Sequence, residues 1–367
     1  MTSIEKIVDD IIASGITARA SDIHIDPGLE MLVISFRIDG IVRINRQLSL
    51  ELHESIMIRI KVLARLPLDD KRLPKDGRFS WASADGALNA EIRVSMMPTT
   101  FGENAVLRIF DPLVSILSFK ELGFSLPQIS SLDHALSARS GIIILAGPTG
   151  SGKTTTLYSM LEHIRKDGRR ILTVEDPVER YIDGVRQIEV GSSTLLEYTS
   201  VLRSLLRQDP DVIMLGEIRD SESATLAFQA AMTGHLIITT VHAFSVAGIY
   251  RRLEDMGISQ ELMDSNIRFC ISQRLLGKVC IHCKEEVKVD RDTLFRLSLY
   301  EDISSSIFYR GKGCDECGKT GVLGRTVVCE MSDDASPLHA NGYRKASEGI
   351  VSFEDAHALV NEAAHVH

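Results

Sequence analysis

Over the first dozen residues, Ile4, Ile7, Val8, Ile11 and Ile12 fall at i, i+3, i+4, i+7 and i+8, the one-sided spacing of an amphipathic helix. Thr2 and Glu5 suit a capping box at its start, and Gly15 stands near its end. The hydrophobic period then shortens to two. Met31–Ile38 and Ile41–Ile44, joined by Asp39-Gly40, predict a hairpin. Leu52–Ala64 predicts a helix, and Phe79–Ala82, Leu88–Val94 and Ala105–Phe110 predict further strands. Residues 1–112 therefore read as an α+β domain, with a linker opening at Asp111-Pro112 and spanning 113–122.

Beyond that point the pattern changes again. Gly141–Ala146, Ile171–Val174, Val212–Leu215 and Leu236–Val241 are short apolar runs without alternation, the mark of strands buried on both faces. Helical stretches over Thr155–Lys166, Thr199–Gln208 and Ser221–Met232 separate them. Strand and helix in turn predict an α/β core over 123–275, a parallel sheet covered on both faces. A cysteine-bearing module over 276–330 and a helical tail over 331–367 follow, the tail ending in a helix from Phe353 through Val360.

After the first of these strands comes Gly147-Pro148-Thr149-Gly150-Ser151-Gly152-Lys153-Thr154, which fits the phosphate-loop pattern G-x-x-x-x-G-K-[ST] and leads through Thr155 into a helix. Glycines there let backbone N–H groups close around phosphate oxygens, and the helix start adds partial positive charge. Lys153 is expected to reach the β- and γ-phosphates, and Thr154 to ligate Mg²⁺. Ligands of such a sheet gather at the carboxyl ends of its strands. Glu175, Glu217 and His242 each stand at or just past such an end, in the places where phosphoryl transfer needs carboxylates and a polar sensor. Gly216, not an acidic residue, precedes Glu217, so Glu217 is expected to act through a metal-bound water, with Glu175 the second candidate to orient the attacking water.

Composition narrows the rest. With 50 acidic and 41 basic residues the net charge is −9, so the chain has no global pull toward nucleic acid. No apolar run is long enough to span a bilayer, and the start lacks a secretory signal. Cys280-Ile281-His282-Cys283 and Cys314-Asp315-Glu316-Cys317 are two CxxC pairs, the spacing of a structural four-thiolate Zn²⁺ site. Cys270 lies in an apolar run (Ile267, Phe269, Ile271) that reads as helical core, and Cys329 reads as a buried strand residue. Arg78, Arg93 and Arg108 alternate with apolar residues, which by spacing alone fits a solvated sheet face.

Taken together, Ala20-Ser21-Asp22-Ile23-His24-Ile25, Arg72-Leu73-Pro74-Lys75-Asp76-Gly77-Arg78, the phosphate loop, Val174-Glu175-Asp176-Pro177-Val178-Glu179, Gly216-Glu217-Ile218-Arg219-Asp220, Thr233-Gly234-His235 to His242, and the cysteine pairs leading into Gly324-Arg325-Thr326 resemble the ATPases of type II secretion and type IV pilus assembly. The resemblance implies a PAS-like amino-terminal domain, a RecA-like P-loop ATPase domain and a zinc-binding tetracysteine module. It also implies a cytoplasmic homo-hexamer, peripheral at a bacterial inner membrane, that burns ATP with Mg²⁺ against a membrane platform protein; from the net charge and sparse aromatics no nucleic-acid partner is expected. The resemblance assigns phosphate contacts to Arg93, Arg108, Arg203 and Arg207, replacing the solvated-face reading of the first two. Many members carry a further amino-terminal anchoring domain, and since this chain starts almost at Ala20-Ser21-Asp22, that anchor is expected to be absent or supplied differently. The residues after His242, Ala243-Phe244-Ser245, also depart from the usual pattern. A retraction, conjugation or DNA-translocating ring ATPase is the nearest alternative, and a non-catalytic nucleotide sensor or scaffold is one of a different class.

Overall fold

The computed structural model describes residues 3–69, 72–110, 116–191, 198–289, 307–334 and 336–364, and the chain divides into two compact units, Met1–Ser115 and Ile116–His367. Asp111-Pro112, expected to open the linker, and Thr2, expected in the first cap, lie outside the described residues.

The first unit contains α1 (Ile4–Thr17), β1 (Asp22–Pro27), β2 (Met31–Ile38), β3 (Ile41–Ser49), α2 (His53–Leu63), β4 (Lys75–Ala82), β5 (Asn89–Thr99) and β6 (Gly102–Phe110). The strands form an antiparallel sheet of order β3-β2-β1-β6-β5-β4. Alternation turns Ile23, Ile25, Ile34, Ile92 and Leu107 into one core with Ile11 and Ile12 of α1 and Ile56 and Ile60 of α2. Ser3 caps α1, its side chain accepting from the Lys6 amide. Gly15 stands near the end of that helix, as expected. A Cβ there would sit 2.6 Å from Ile23 Cδ1.

The second unit begins with α3 (Phe119–Leu122) and α4 (Leu126–Leu136). The end of the expected linker is thus a capped helical turn whose Phe119 and Leu122 are buried. There follow β7 (Gly141–Ala146), α5 (Lys153–Ile164), β8 (Ile171–Glu175), β9 (Arg186–Glu189), α6 (Tyr198–Leu205), β10 (Val212–Leu215), α7 (Ser221–Met232), β11 (Leu236–Val241), α8 (Val246–Asp255), α9 (Gln260–Asn266) and β12 (Ile267–Val279). The chain closes with β13 (Lys284–Val287), β14 (Phe308–Gly311), β15 (Val322–Met331), α10 (Leu338–Ser347) and α11 (Phe353–Ala364). Seven strands run in the order β15-β12-β7-β11-β10-β8-β9, every pair parallel except β12 with β15.

Every residue of β7 is buried. Ile142, Ile144 and Ala146 pack into the core on one face, and Ile143 and Leu145 into the core on the other. That two-sided burial explains the unbroken apolar runs. Cys270 corrects an expectation: its run is not helical but belongs to β12, beside Ile144 of β7. It is core nonetheless, as is Cys329 on β15. Helix α10 falls in the segment over 331–367 expected to be helical, with Asn341-Gly342 in its interior. In the structure a Cβ on Gly342 would lie 2.8 Å from Leu359 Cδ1, so glycine lets α10 and α11 approach closely.

Candidate active site

The sheet order makes β7, β11, β10 and β8 consecutive, so their carboxyl ends form one edge. The loop after β7 turns on Gly147, Gly150 and Gly152, all at positive φ. At Gly150 nothing stands within 4 Å of where a Cβ would be, whereas at Gly147 a Cβ would lie 2.5 Å from both Ser151 Oγ and the Gln273 carbonyl oxygen. Helix α5 starts at Lys153 without a side-chain cap, so its first amides are free of the usual competitor for an anion. Lys153 Nζ donates to the carbonyls of Gly147 (2.6 Å) and Pro148 (3.1 Å), which folds the ammonium over the loop. Burial holds its pKa below the ordinary lysine value; Glu217 opposes the shift and Arg274 adds to it. Thr154 is half-buried and Thr155 exposed on the first turn.

Glu217 lies past the end of β10, its side chain a quarter exposed. Its carboxylate accepts from Arg219 Nε and, at 3.0 Å, from His242 Nε2. Arg219 also reaches Asp176 at 3.2 Å. Desolvation pushes the Glu217 pKa up, but the hydrogen bonds and charges of Arg219 and His242 outweigh it and hold the carboxyl below its ordinary value. The site is thus a linked chain of side chains, Asp176–Arg219–Glu217–His242, across the ends of β8, β10 and β11, with the Lys153 ammonium close enough to feel Glu217.

Glu175, the last residue of β8, is in a different state. It is 4% exposed, and its carboxylate accepts from Tyr158 Oη on α5, Thr173 Oγ1 and Gln187 Nε2 (3.0 Å). Tyr158 Oη in turn accepts the amides of Glu179 (3.1 Å) and Arg180 (3.2 Å). The phosphate-loop helix is thereby tied to the segment after β8.

The remaining candidates fall elsewhere. Arg203 and Arg207 lie on and just beyond α6; Arg203 pairs with Glu222 at 2.7 Å and Arg207 donates to the Arg203 carbonyl at 3.1 Å. Arg93 and Arg108 are cross-strand partners in the first unit, with Arg78 beside Arg93 and Asp22 beside Arg108. Arg93 stacks 4.5 Å over the Phe110 ring, and Arg108 Nε meets Asp22 at 3.0 Å. Arg219 and Asp176 were visible only as members of their motifs; that Asp176 pairs with Arg219 and Arg219 with Glu217 requires the fold.

The Sγ atoms of Cys280, Cys283, Cys314 and Cys317 all lie within 4.8 Å of one another, the separations including 3.8 Å (Cys280–Cys314), 3.9 Å (Cys283–Cys317) and 3.7 Å (Cys314–Cys317). A tetrahedron with Zn–S bonds of about 2.3 Å has edges of roughly 3.8 Å, so the donor set fits that ion. Amides of Cys314 and Gly321 donate to Cys317 Sγ at 3.2 Å each, and Cys317 titrates near 6: burial raises its pKa, but these hydrogen bonds outweigh it and favour the thiolate.

A glycine-rich loop opening a helix at the middle of a parallel sheet, with acid and histidine on the adjoining strand ends, defines a P-loop ATP hydrolase. The fold agrees with the ATPase DotB of Legionella pneumophila, at a TM-score of 0.71 and 20% identity over 97% of this chain and 95% of that one. The family model described as Type II/IV secretion system protein matches residues 1–356, and the chain belongs to that family. It is 38% identical to the putative type II secretion system protein E of Escherichia coli, over 94% of this chain and 70% of that protein. It is 39% identical to the type IV pilus assembly ATPase PilB of Thermus thermophilus, over 90% of this chain but 37% of PilB. Among the described residues no helix is long and apolar enough to cross a membrane.

Proposed function

We propose that the chain hydrolyses ATP as a cytoplasmic hexameric ring and uses the energy to drive type IV pilus assembly or type II protein secretion through a platform protein of the inner membrane. The observation that carries the reading is the grouping of Lys153, Glu217 and His242 on adjacent strand ends in a chain akin, over nine-tenths of its length, to proteins named for those two systems. The tetracysteine cluster supports the assembly and secretion side of the family.

In this mechanism the amides of Gly150 to Thr154 surround the β-phosphate, and Lys153 spreads its charge over the β- and γ-oxygens. The Thr154 hydroxyl would hold Mg²⁺, which when bound neutralises those oxygens. Glu217 orients the attacking water and takes up its proton as the bond from Pγ to the bridging oxygen breaks. His242 keeps the carboxylate aimed and can report on the γ-phosphate. Arg93 and Arg108, with Arg203 and Arg207, supply further positive charge to the phosphates once the ring is formed. Glu175 anchors α5 rather than meeting water, since its oxygens are committed to Tyr158, Thr173 and Gln187. Cys280, Cys283, Cys314 and Cys317 would hold one structural Zn²⁺.

Sedimentation with ATP and Mg²⁺ should give a particle six times the chain's mass of 40.6 kDa, and phosphate release per chain should rise as it forms. A chain that stays monomeric and equally active at all concentrations contradicts the ring. Metal analysis of reduced protein should return about one zinc per chain; none would remove the zinc assignment.

A further inference from the structure

We propose that Gln273 is a positioning residue for ATP binding, which aims one phosphate-binding amide of the loop from behind. The proposal rests on reading the loop after β7 as the nucleotide site. Strands β7 and β12 run parallel with Ala146 beside Ser272, so the next residues, Gly147 and Gln273, continue the same register. Gln273 is fully buried, and its Nε2 donates 2.8 Å to the carbonyl of Ser151, 122 residues away in the chain.

The consequence follows from peptide geometry. In a planar trans peptide the C=O of one residue and the N–H of the next point in opposite directions. A donor that draws the Ser151 carbonyl toward β12 therefore turns the Gly152 N–H away from β12, to the side where the loop closes around phosphate. The glycines show how closely the strand is applied. A Cβ on Gly147 would lie 2.5 Å from the Gln273 carbonyl oxygen, and one on Gly152 would lie 3.1 Å from Leu275 Cδ1 and 3.3 Å from Gln273 Nε2. The Gln273 carbonyl is itself held by Arg274 Nη1 at 3.0 Å. A hydrophobic residue would fill the same space, and Gln273 Oε1 is a buried acceptor with no hydrogen-bond partner. Glutamine leaves one buried acceptor, its Oε1, unpaired, and an apolar residue would leave another, the Ser151 carbonyl, so stability does not by itself select glutamine; its amide donor is what the site uses.

The test is Gln273→Met, which keeps the length and removes the donor. Affinities for ATP and ADP should fall together by about tenfold, the loss of one aligned donor, and KM should rise with them while kcat changes less. The thermal midpoint without nucleotide should stay near that of wild type. Unchanged nucleotide affinity in a folded Gln273→Met would overturn the proposal, as would a loss of affinity matched by a fall in the nucleotide-free midpoint, which would make Gln273 a packing residue. If that variant does not fold, Gln273→Asn, one methylene short of Ser151, should show the same weakened binding, and wild-type affinity in it would overturn the proposal equally. Lys153→Ala separates the two levels. If it leaves ATP binding intact, the loop is not the nucleotide site; if it abolishes binding while Gln273 variants keep it, only the positioning role fails.

Discussion

The ends of β8 and β10 lie side by side in one sheet, and each carries a glutamate, but the two carboxylates are held by opposite means. Around Glu175 the protein has closed: neutral hydroxyls and an amide hold the oxygens, and the residue is 4% exposed. Around Glu217 it has left the carboxylate a quarter exposed and bound it with the Arg219 guanidinium and a hydrogen bond from His242. A buried carboxylate with fixed neutral donors builds structure; a partly open one whose ionised form is favoured can handle a proton. The sequence ranks Glu217 first and Glu175 second for handling water, and their surroundings favour the same order.

The contrast can be broken by substitution. The largest effect is expected for Glu217→Gln, which should bind ATP as wild type does while kcat falls by about 10²–10⁴-fold, the range for removing a general base. Phosphate release measured beside nucleotide affinity checks it. Glu175→Gln should act mainly on stability. An amide there sets an N–H against donors that need an acceptor, at a cost of about 1–3 kcal/mol, read as a lower thermal midpoint. A Glu175→Gln protein that melts like wild type but cannot turn over would reverse the two assignments.

The smallest effect sharpens the electrostatic half of the comparison. Arg219 and His242 hold the Glu217 carboxyl below the ordinary value of 4.5. A depressed carboxyl stays ionised to lower pH, so its ion pairs and its basic function are present above the unfolded value and are lost as pH falls through the lower, folded one. Arg219→Ala removes part of that depression, so the acid limb of the pH–rate profile should move upward. An unmoved limb would mean that another group sets it.

Much of this architecture was legible in the chain. Unbroken apolar runs announced β7, β8, β10 and β11, since only strands covered on both faces read that way, and the loop motif located the site on the first of them. The period was misread at β12. At Cys270 the neighbouring apolar residues Ile267, Phe269 and Ile271 stand two apart, the period of a strand, which the helical reading passed over. The site's inner geometry was the least legible. What separates Glu175 from Glu217 physically shows only when Tyr158 and Gln187 are seen on the one and His242 on the other. Gln273 reaches Ser151 only because β12 is laid beside β7.

The central claim is that Glu217, and not Glu175, activates water for attack on ATP held by the phosphate loop. Rapid-quench measurement of a single turnover, with ATP and Mg²⁺ already bound, tests it most directly on wild type, Glu217→Gln and Glu175→Gln. Cleavage should proceed in wild type and, within about tenfold, in folded Glu175→Gln, and should stall in Glu217→Gln by about a hundredfold or more. Cleavage at the wild-type rate in Glu217→Gln would contradict the account.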